Sequence, residues 1–177
     1  SRQIMNAIYG KGVKDSDKIG EGIYNLYGSG KEGFDIVSNQ FSIHYFFENI
    51  DTLLGFIQNV SENCKKNGYF IGTCYDGKKI FKLLKNTQIK KSIVKTDDDK
   101  ITWSIKKKYN KNEMKDNKTS LGYKIDIFQE SINQSISEYL VNFDYLTELL
   151  ENFGFVPCPS QDLQKMHFKN AIGSFEE

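Results

Sequence analysis

The chain predicts an α/β fold, half of a doubly wound parallel sheet, on three observations. Residues 34–37, with Phe34, Ile36 and Val37, form a short apolar run that fits a strand buried on both faces. An amphipathic stretch follows, capped by Asn49 or Asp51 and reaching about Lys66, with Leu53, Leu54, Ile57, Val60 and Cys64 on one stripe. Residues 69–73 then read as a second buried strand. Strand, helix and strand joined over that length favour parallel pairing with a right-handed crossover.

In chain order, residues 1–33 are a glycine-rich lead-in, with Gly10 and Gly12, Gly20 and Gly22, and Gly28 and Gly30 in succession. None of these pairs follows a strand or opens a clear helix, so they read as turns and not as a phosphate loop. A short helix over 2–9 precedes them, with Ile4, Met5 and Ile8 on one face. Ser38, Asn39 and Gln40 interrupt the first apolar run, and the strand is expected to stop there. In open α/β sheets the ligand crevice lies outside such strand ends. Gln40, Phe41, His44 and Tyr45 therefore mark the expected place for chemistry.

Lys65 and Lys66 suit the last turn of the long helix, and Asn67-Gly68 are expected to end it. Residues 78–85 predict a helix with Ile80, Leu83 and Leu84 turned inward. From 92 to 109 the pattern alternates around Asp97-Asp98-Asp99, as a hairpin does. Residues 110–120 are polar and read as a mobile loop, and 123–128 is a further strand candidate. Residues 142–153 carry Leu146, Leu149, Leu150 and Phe153 at helical spacing and stop at Gly154. Residues 155–159 are short and extended, and the tail over 160–177 is helical at 162–168.

A chain of 177 residues fits one domain, and 38% hydrophobic content is enough to pack its interior. No apolar run approaches the ~20 residues that cross a membrane. Cys64, Cys74 and Cys158 are odd in number and lack a C-x-x-C spacing, which points to a reducing, intracellular compartment and away from a zinc site. Residues 65–118 hold 16 of the 24 Lys+Arg and 6 of the 23 Asp+Glu, a balance of +10, leaving 8 basic and 17 acidic residues, or −9, elsewhere. That segment is either a solvated surface or a polyanion contact.

Taken singly, the chemical residues keep two meanings. A histidine among aromatics, such as His44, is either a hydrogen-bonded core residue or a ligand-facing one. Gln40 either bonds neighbouring backbone or faces ligand, and Glu138 is either exposed or functional.

The run Phe34-Asp35-Ile36, Ser38, Gln40-Phe41, His44-Tyr45, Phe47-Glu48, followed by residues 68–73 (GYFIGT) and 138–141 (EYLV), resembles the mRNA cap guanine-N7 methyltransferases, in wording closest to those of large DNA viruses, where the domain ends a multifunctional capping enzyme. The resemblance covers about 34–159 and implies a class I, Rossmann-like S-adenosylmethionine-dependent methyltransferase fold, here its C-terminal portion with an inserted β-hairpin. It implies that His44 and Tyr45 line the guanine pocket, with Phe41 beside both ligands, Ser42 as a weaker cap contact and Glu138 as the guanine-reading carboxylate. Gln40, Phe41 and Tyr45 are implied to meet S-adenosylmethionine, the co-substrate. The family's glycine-rich donor loop is expected before residue 1, so this chain should supply mainly the cap pocket and bind the donor poorly alone.

The implied chemistry is economical. N7 of guanine attacks through a lone pair and loses no proton, so no general base or metal is called for, and positioning contributes up to about 7–11 kcal/mol. A carboxylate accepts from the N1–H and exocyclic amine of guanine together, a pairing that adenine does not offer. The expected partners are the GpppN end of capped RNA and fused triphosphatase and guanylyltransferase domains or a stimulatory subunit. The expected location is the nucleus for a cellular protein, and the host cytoplasm or virion for a viral one. Two other functions fit less of the pattern: a non-catalytic, methyltransferase-like RNA-binding or stimulatory subunit of a capping enzyme, and a small-molecule methyltransferase, which leaves His44, Tyr45 and Glu138 without a task.

Overall fold

The computed structural model describes residues 2–174, so the end of the expected tail lies outside the described residues. The lead-in holds three short helices, α1 (Arg2–Ile8), α2 (Ser16–Ile19) and α3 (Glu21–Asn25), where one helix and then turns were expected. Ile4 and Met5 are exposed and Ala7 is the buried residue of α1, because its side of the helix meets the glycine turn at Gly28, whose N–H donates to the Ala7 carbonyl.

The predicted parallel pair is present: β1 (Phe34–Gln40) runs alongside β2 (Cys64–Thr73), with α4 (Ile43–Phe46) and α5 (Ile50–Asn63) between them. Two expectations about β1 are corrected. It does not stop at Val37 but continues through Ser38, Asn39 and Gln40, which pair with Ile71, Gly72 and Thr73. Backbone pairing is indifferent to side-chain polarity, so polar residues extend a strand wherever a partner is in register. Nor is β1 buried on both faces: α5 covers one, and Ile36 on the other is 57% exposed.

Asn49 caps α5 by accepting from the Thr52 N–H at 3.0 Å. Leu53, Phe56, Ile57 and Val60 form its buried stripe, while Leu54 sits at the solvent edge. The helix ends at Asn63, three residues before the expected Lys66, and Cys64, Lys65 and Lys66 open β2. Asn67 and Gly68 form a bulge in β2 rather than a helix stop. Asn67 is left-handed (φ 66°), and a Cβ at Gly68 would lie 2.9 Å from the Asp35 carbonyl.

α6 (Gly77–Leu83) turns Ile80 and the following Leu84 inward but leaves Leu83 half exposed. The hairpin forms as β3 (Ser92–Asp97) and β4 (Lys100–Lys107), turning through left-handed Asp98 and Asp99. It is no isolated insertion, because β4 also pairs with β5 (Lys124–Gln129), which pairs with β6 (Gln134–Tyr139), giving an antiparallel sheet of order β3-β4-β5-β6. β6 was not expected, since its alternation contains only one aliphatic residue, Ile136.

The 110–120 segment, read as mobile on composition, is tied down. The Tyr123 hydroxyl donates to the Glu113 carbonyl, Asn142 donates to the Lys115 carbonyl and Asp116, and Lys78 pairs with Asp116. Asn142, fully buried, also caps α7 (Phe143–Asn152) by accepting from Asp144 and Tyr145. The chain closes its described part with α8 (Ser160–Lys165), shorter than the expected 162–168 at its end.

Two apolar clusters result. α5 and α7 pack with Ile43, Phe47 and Val141 against the parallel pair, while Ile80, Leu84, Tyr109, Tyr123, Ile125 and Ile127 fill the space between α6 and the antiparallel sheet. They meet where Gly77 donates to the Val141 carbonyl and Asp76 bridges Val141. A Cβ at Gly77 would lie 2.3 Å from that oxygen, so only glycine allows the approach. This junction sets the carboxyl ends of β1 and β2 against one face of β5 and β6.

Candidate functional site

A cavity of about 440 Å³ opens at that junction, within the size range of small-ligand sites. It is lined by Phe41, His44, Tyr45 and Tyr75 on the parallel-sheet side and by Ile127, Gln129, Ile132, Gln134, Ile136 and Glu138 on the other.

The first wall follows from how β1 ends. Phe41 adopts a left-handed backbone (φ 50°) and donates its N–H to the Thr73 carbonyl at 2.8 Å, which turns the chain off the sheet and directly into the single turn of α4. That turn divides its residues. Ile43 and the following Phe47 enter the core, and His44 and Tyr45 face the cavity. Tyr45 and Phe41 remain 43% and 55% exposed at the rim. Phe46 stacks on Phe56 with centroids 4.4 Å apart, so it and Phe47 serve packing.

The second wall is β6, whose alternation points Gln134, Ile136 and Glu138 inward while Ser137 on the other face donates to Asp126. Glu138 and His44 are both buried, and His44 Nε2 stands 3.7 Å from Glu138 Oε1. That separation exceeds a hydrogen bond. Both ring nitrogens of His44 are buried with no hydrogen-bond partner among the described residues. The Tyr45 ring stands edge-on against the imidazole at 4.3 Å.

Burial dominates the electrostatics. Loss of water holds the His44 imidazolium below the usual histidine range and pushes the Glu138 carboxyl up to about 7. The approach of His44 to Glu138 is an ion pair only if the ring is protonated. Desolvation thus shifts both groups towards their neutral forms. Burial, with Asp76 and Glu138 nearby, raises the Cys74 thiol to about 12, which leaves it an unreactive thiol.

Four of the six sequence-derived site residues, Phe41, His44, Tyr45 and Glu138, share the cavity. Gln40 and Ser42 do not line it. The Gln40 amide donates to Ser38 Oγ at 3.0 Å and accepts from Thr73 Oγ1 at 2.7 Å, and Ser42 donates to Asn39 at 2.9 Å. Sequence reasoning passed over Tyr75 and Gln129, which bond to each other across the cavity through the Gln129 amide and the Tyr75 hydroxyl. Tyr75 lies two residues past the second strand, the same signal that singled out residues 40–45.

Three lysines of the lysine-rich segment have structural partners. Lys107 is buried and donates to the Leu84 carbonyl at 3.1 Å, Lys78 joins Asp116 and Asp144, and Lys111 donates to the Thr119 and Leu121 carbonyls. Among the described residues no group of three or more His, Cys, Asp or Glu is placed to hold a metal ion, and no helix is long and apolar enough to cross a membrane.

Comparison with known proteins gives consistent results. A family model described as the mRNA (guanine-N(7))-methyltransferase domain matches residues 2–173. A probable mRNA-capping enzyme of Acanthamoeba polyphaga mimivirus is 32% identical over 146 residues, covering 79% of this chain and 12% of the relative. The mRNA cap guanine-N(7) methyltransferase of Aspergillus fumigatus is 25% identical, covering 70% of this chain and 22% of the relative. An African swine fever virus mRNA-capping enzyme is 26% identical over 171 residues, covering 93% of this chain and 18% of the relative. The chain thus spans under a quarter of the length of these curated relatives.

Proposed function

Since the chain belongs to the mRNA (guanine-N(7))-methyltransferase domain family, we propose that its cavity binds the cap guanine for methyl transfer from S-adenosylmethionine to N7. The observation that carries this is the buried His44 ring, both of its nitrogens without a hydrogen-bond partner among the described residues, 3.7 Å from the buried Glu138 carboxyl in a cavity that Phe41, Tyr45 and Tyr75 also line. Buried polar groups left unpaired cost about 1–3 kcal/mol each, so a ligand offering hydrogen bonds there recovers what folding lost.

Guanine meets the requirement. Its N1–H and exocyclic amine donate to the two oxygens of Glu138, and the flat ring lies among Tyr45, Phe41 and Tyr75, where stacking contributes about 1–3 kcal/mol per base. Methylation at N7 puts positive charge on the purine, and an ionised Glu138, itself buried, stabilises that charge. The chain's own contribution is orientation, base selection and this electrostatic assistance.

S-adenosylmethionine, the donor that the family implies, supplies a methyl group carried on sulfonium. Phe41 and Tyr45, at the rim, suit it, whereas the Gln40 amide is already bonded on both sides. We read β1 and β2 as strands of a class I, Rossmann-like methyltransferase sheet, and the capped end of RNA as the partner, with other capping domains or a stimulatory subunit alongside.

Titration calorimetry with a GpppA cap analogue and an ApppA control tests the reading. Wild type is expected to prefer GpppA. Glu138→Ala is expected to erase most of that preference, a loss of up to about 10⁴-fold for a site built on paired hydrogen bonds. A preference that survives Glu138→Ala removes the assignment.

A further inference from the structure

We propose that Trp103 is a stacking platform for the nucleobase that follows the triphosphate bridge of a capped RNA, a site that extends the guanine pocket and rests on the cap reading above. Lys95 pairs with Trp103, Trp103 with Gln129 and Gln129 with Gln134, so one row crosses all four strands of the antiparallel sheet. Alternation puts this row on the same face as Ile105, Ile127 and Ile136, the face that lines the cavity. Gln129 and Gln134 are themselves lining residues, and directly opposed side chains have Cβ atoms about 4.5–5.5 Å apart. The half-buried indole therefore borders the end of the cavity farthest from Glu138.

Distance agrees with this assignment. Glu138 pairs with Ile125 and Trp103 with Gln129, so four residues of β5 separate the two rows, about 13 Å along the strand. β4 and β6 lie two strand spacings apart, about 10 Å, which puts the backbone of Trp103 roughly 16 Å from that of Glu138. A guanine held at Glu138 with its triphosphate lying along the cavity delivers the next nucleoside to this neighbourhood. The Gln129 amide, held by Tyr75, forms the sill between the two sites.

Charge limits what fits. Lys95 lies on the far side of Trp103 and suits the phosphate that follows the stacked base. Beyond it the turn carries Asp97, Asp98 and Asp99, with Glu130 at the neighbouring turn, and these repel a polyanion. The platform takes one nucleotide, and because any base has a π face, it does so without strong sequence preference.

Trp103 is the only tryptophan in the chain, so its fluorescence reports on this position alone. The 177-residue chain would be titrated with GpppA and with GTP, which carries guanine and triphosphate but no second base. GpppA is expected to bind about tenfold tighter than GTP and to quench the tryptophan, with GTP leaving emission unchanged. Trp103→Ala is expected to equalise the two affinities by calorimetry, and Trp103→Phe, which keeps a stacking ring and a packed sheet, to restore much of the difference. GpppA binding with unaltered emission, or an advantage that persists in Trp103→Ala, overturns the platform while leaving the guanine pocket intact. If wild type binds neither ligand, the cap reading falls and the platform with it.

Discussion

Glu138 and His44 both give up water on folding, and the His44 ring gains no hydrogen-bond partner among the described residues, a deficit that makes the pair responsive to a ligand. Guanine donors require the ionised carboxylate, whereas burial raises the Glu138 carboxyl to about 7. Binding below that pH must first remove a proton. Affinity for GpppA is therefore expected to be flat above about pH 7.5 and to fall towards tenfold per pH unit below about 7. Cys74 (raised to about 12) and Tyr75 (raised above its usual 10) stay protonated, and burial keeps the His44 imidazolium below its usual range. Glu138→Gln is expected to bind more weakly with a flat profile, and calorimetry across that range checks both. A wild-type affinity indifferent to pH would mean that Glu138 does not read the base.

At the scale of elements, Asn142 joins β6, α7 and the 110–120 segment. Its carbonyl oxygen accepts from Asp144 and Tyr145 while its amide donates to the Lys115 carbonyl and Asp116. Loss of a cap costs about 0.5–2 kcal/mol, and the Lys115 carbonyl and Asp116 lose a donor as well. Asn142→Ala is expected to lower stability by about 2–3 kcal/mol in urea unfolding and to expose 110–120 to proteolysis. Asn142→Asp keeps the cap but faces Asp116 with like charge, so it recovers only part. An alanine variant within about 0.5 kcal/mol of wild type would show that the segment is held by other contacts.

For the whole molecule the uneven cover of the parallel pair matters. α5 protects one face, and Ile36, Tyr69 and Ile71 lie exposed together on the other, with one open edge on each strand. Exposed apolar faces and free strand edges promote pairing between chains. The 177-residue chain is expected to associate at micromolar concentration in sedimentation velocity, and the Ile36→Lys, Ile71→Lys double variant to shift it towards monomer. A wild-type chain that sediments as a monomer, unchanged by these lysines, would contradict this.

Much of the architecture was legible because helix and strand are local periodicities. The α5 stripe, the turn at Asp98 and Asp99, the helix that stops at Gly154 and the parallel order of β1 and β2 all follow from residues near one another in the chain. What failed was what depends on a distant partner. β1 continues through Gln40 only because Ile71, Gly72 and Thr73 are there to pair. β6, poor in aliphatic residues, is a strand only because β5 lies beside it.

The same division runs through the site. From sequence alone came the residue types and, through family resemblance, their expected company: His44 and Tyr45 after one strand, Glu138 far along the chain. Tertiary structure alone decided that His44 and Glu138 come within 3.7 Å, that Tyr75 and Gln129 join them, and that Gln40 satisfies its amide on its neighbours instead. The physical reason is that burial and the presence or absence of a hydrogen-bond partner belong to the packed chain, and no local pattern records them.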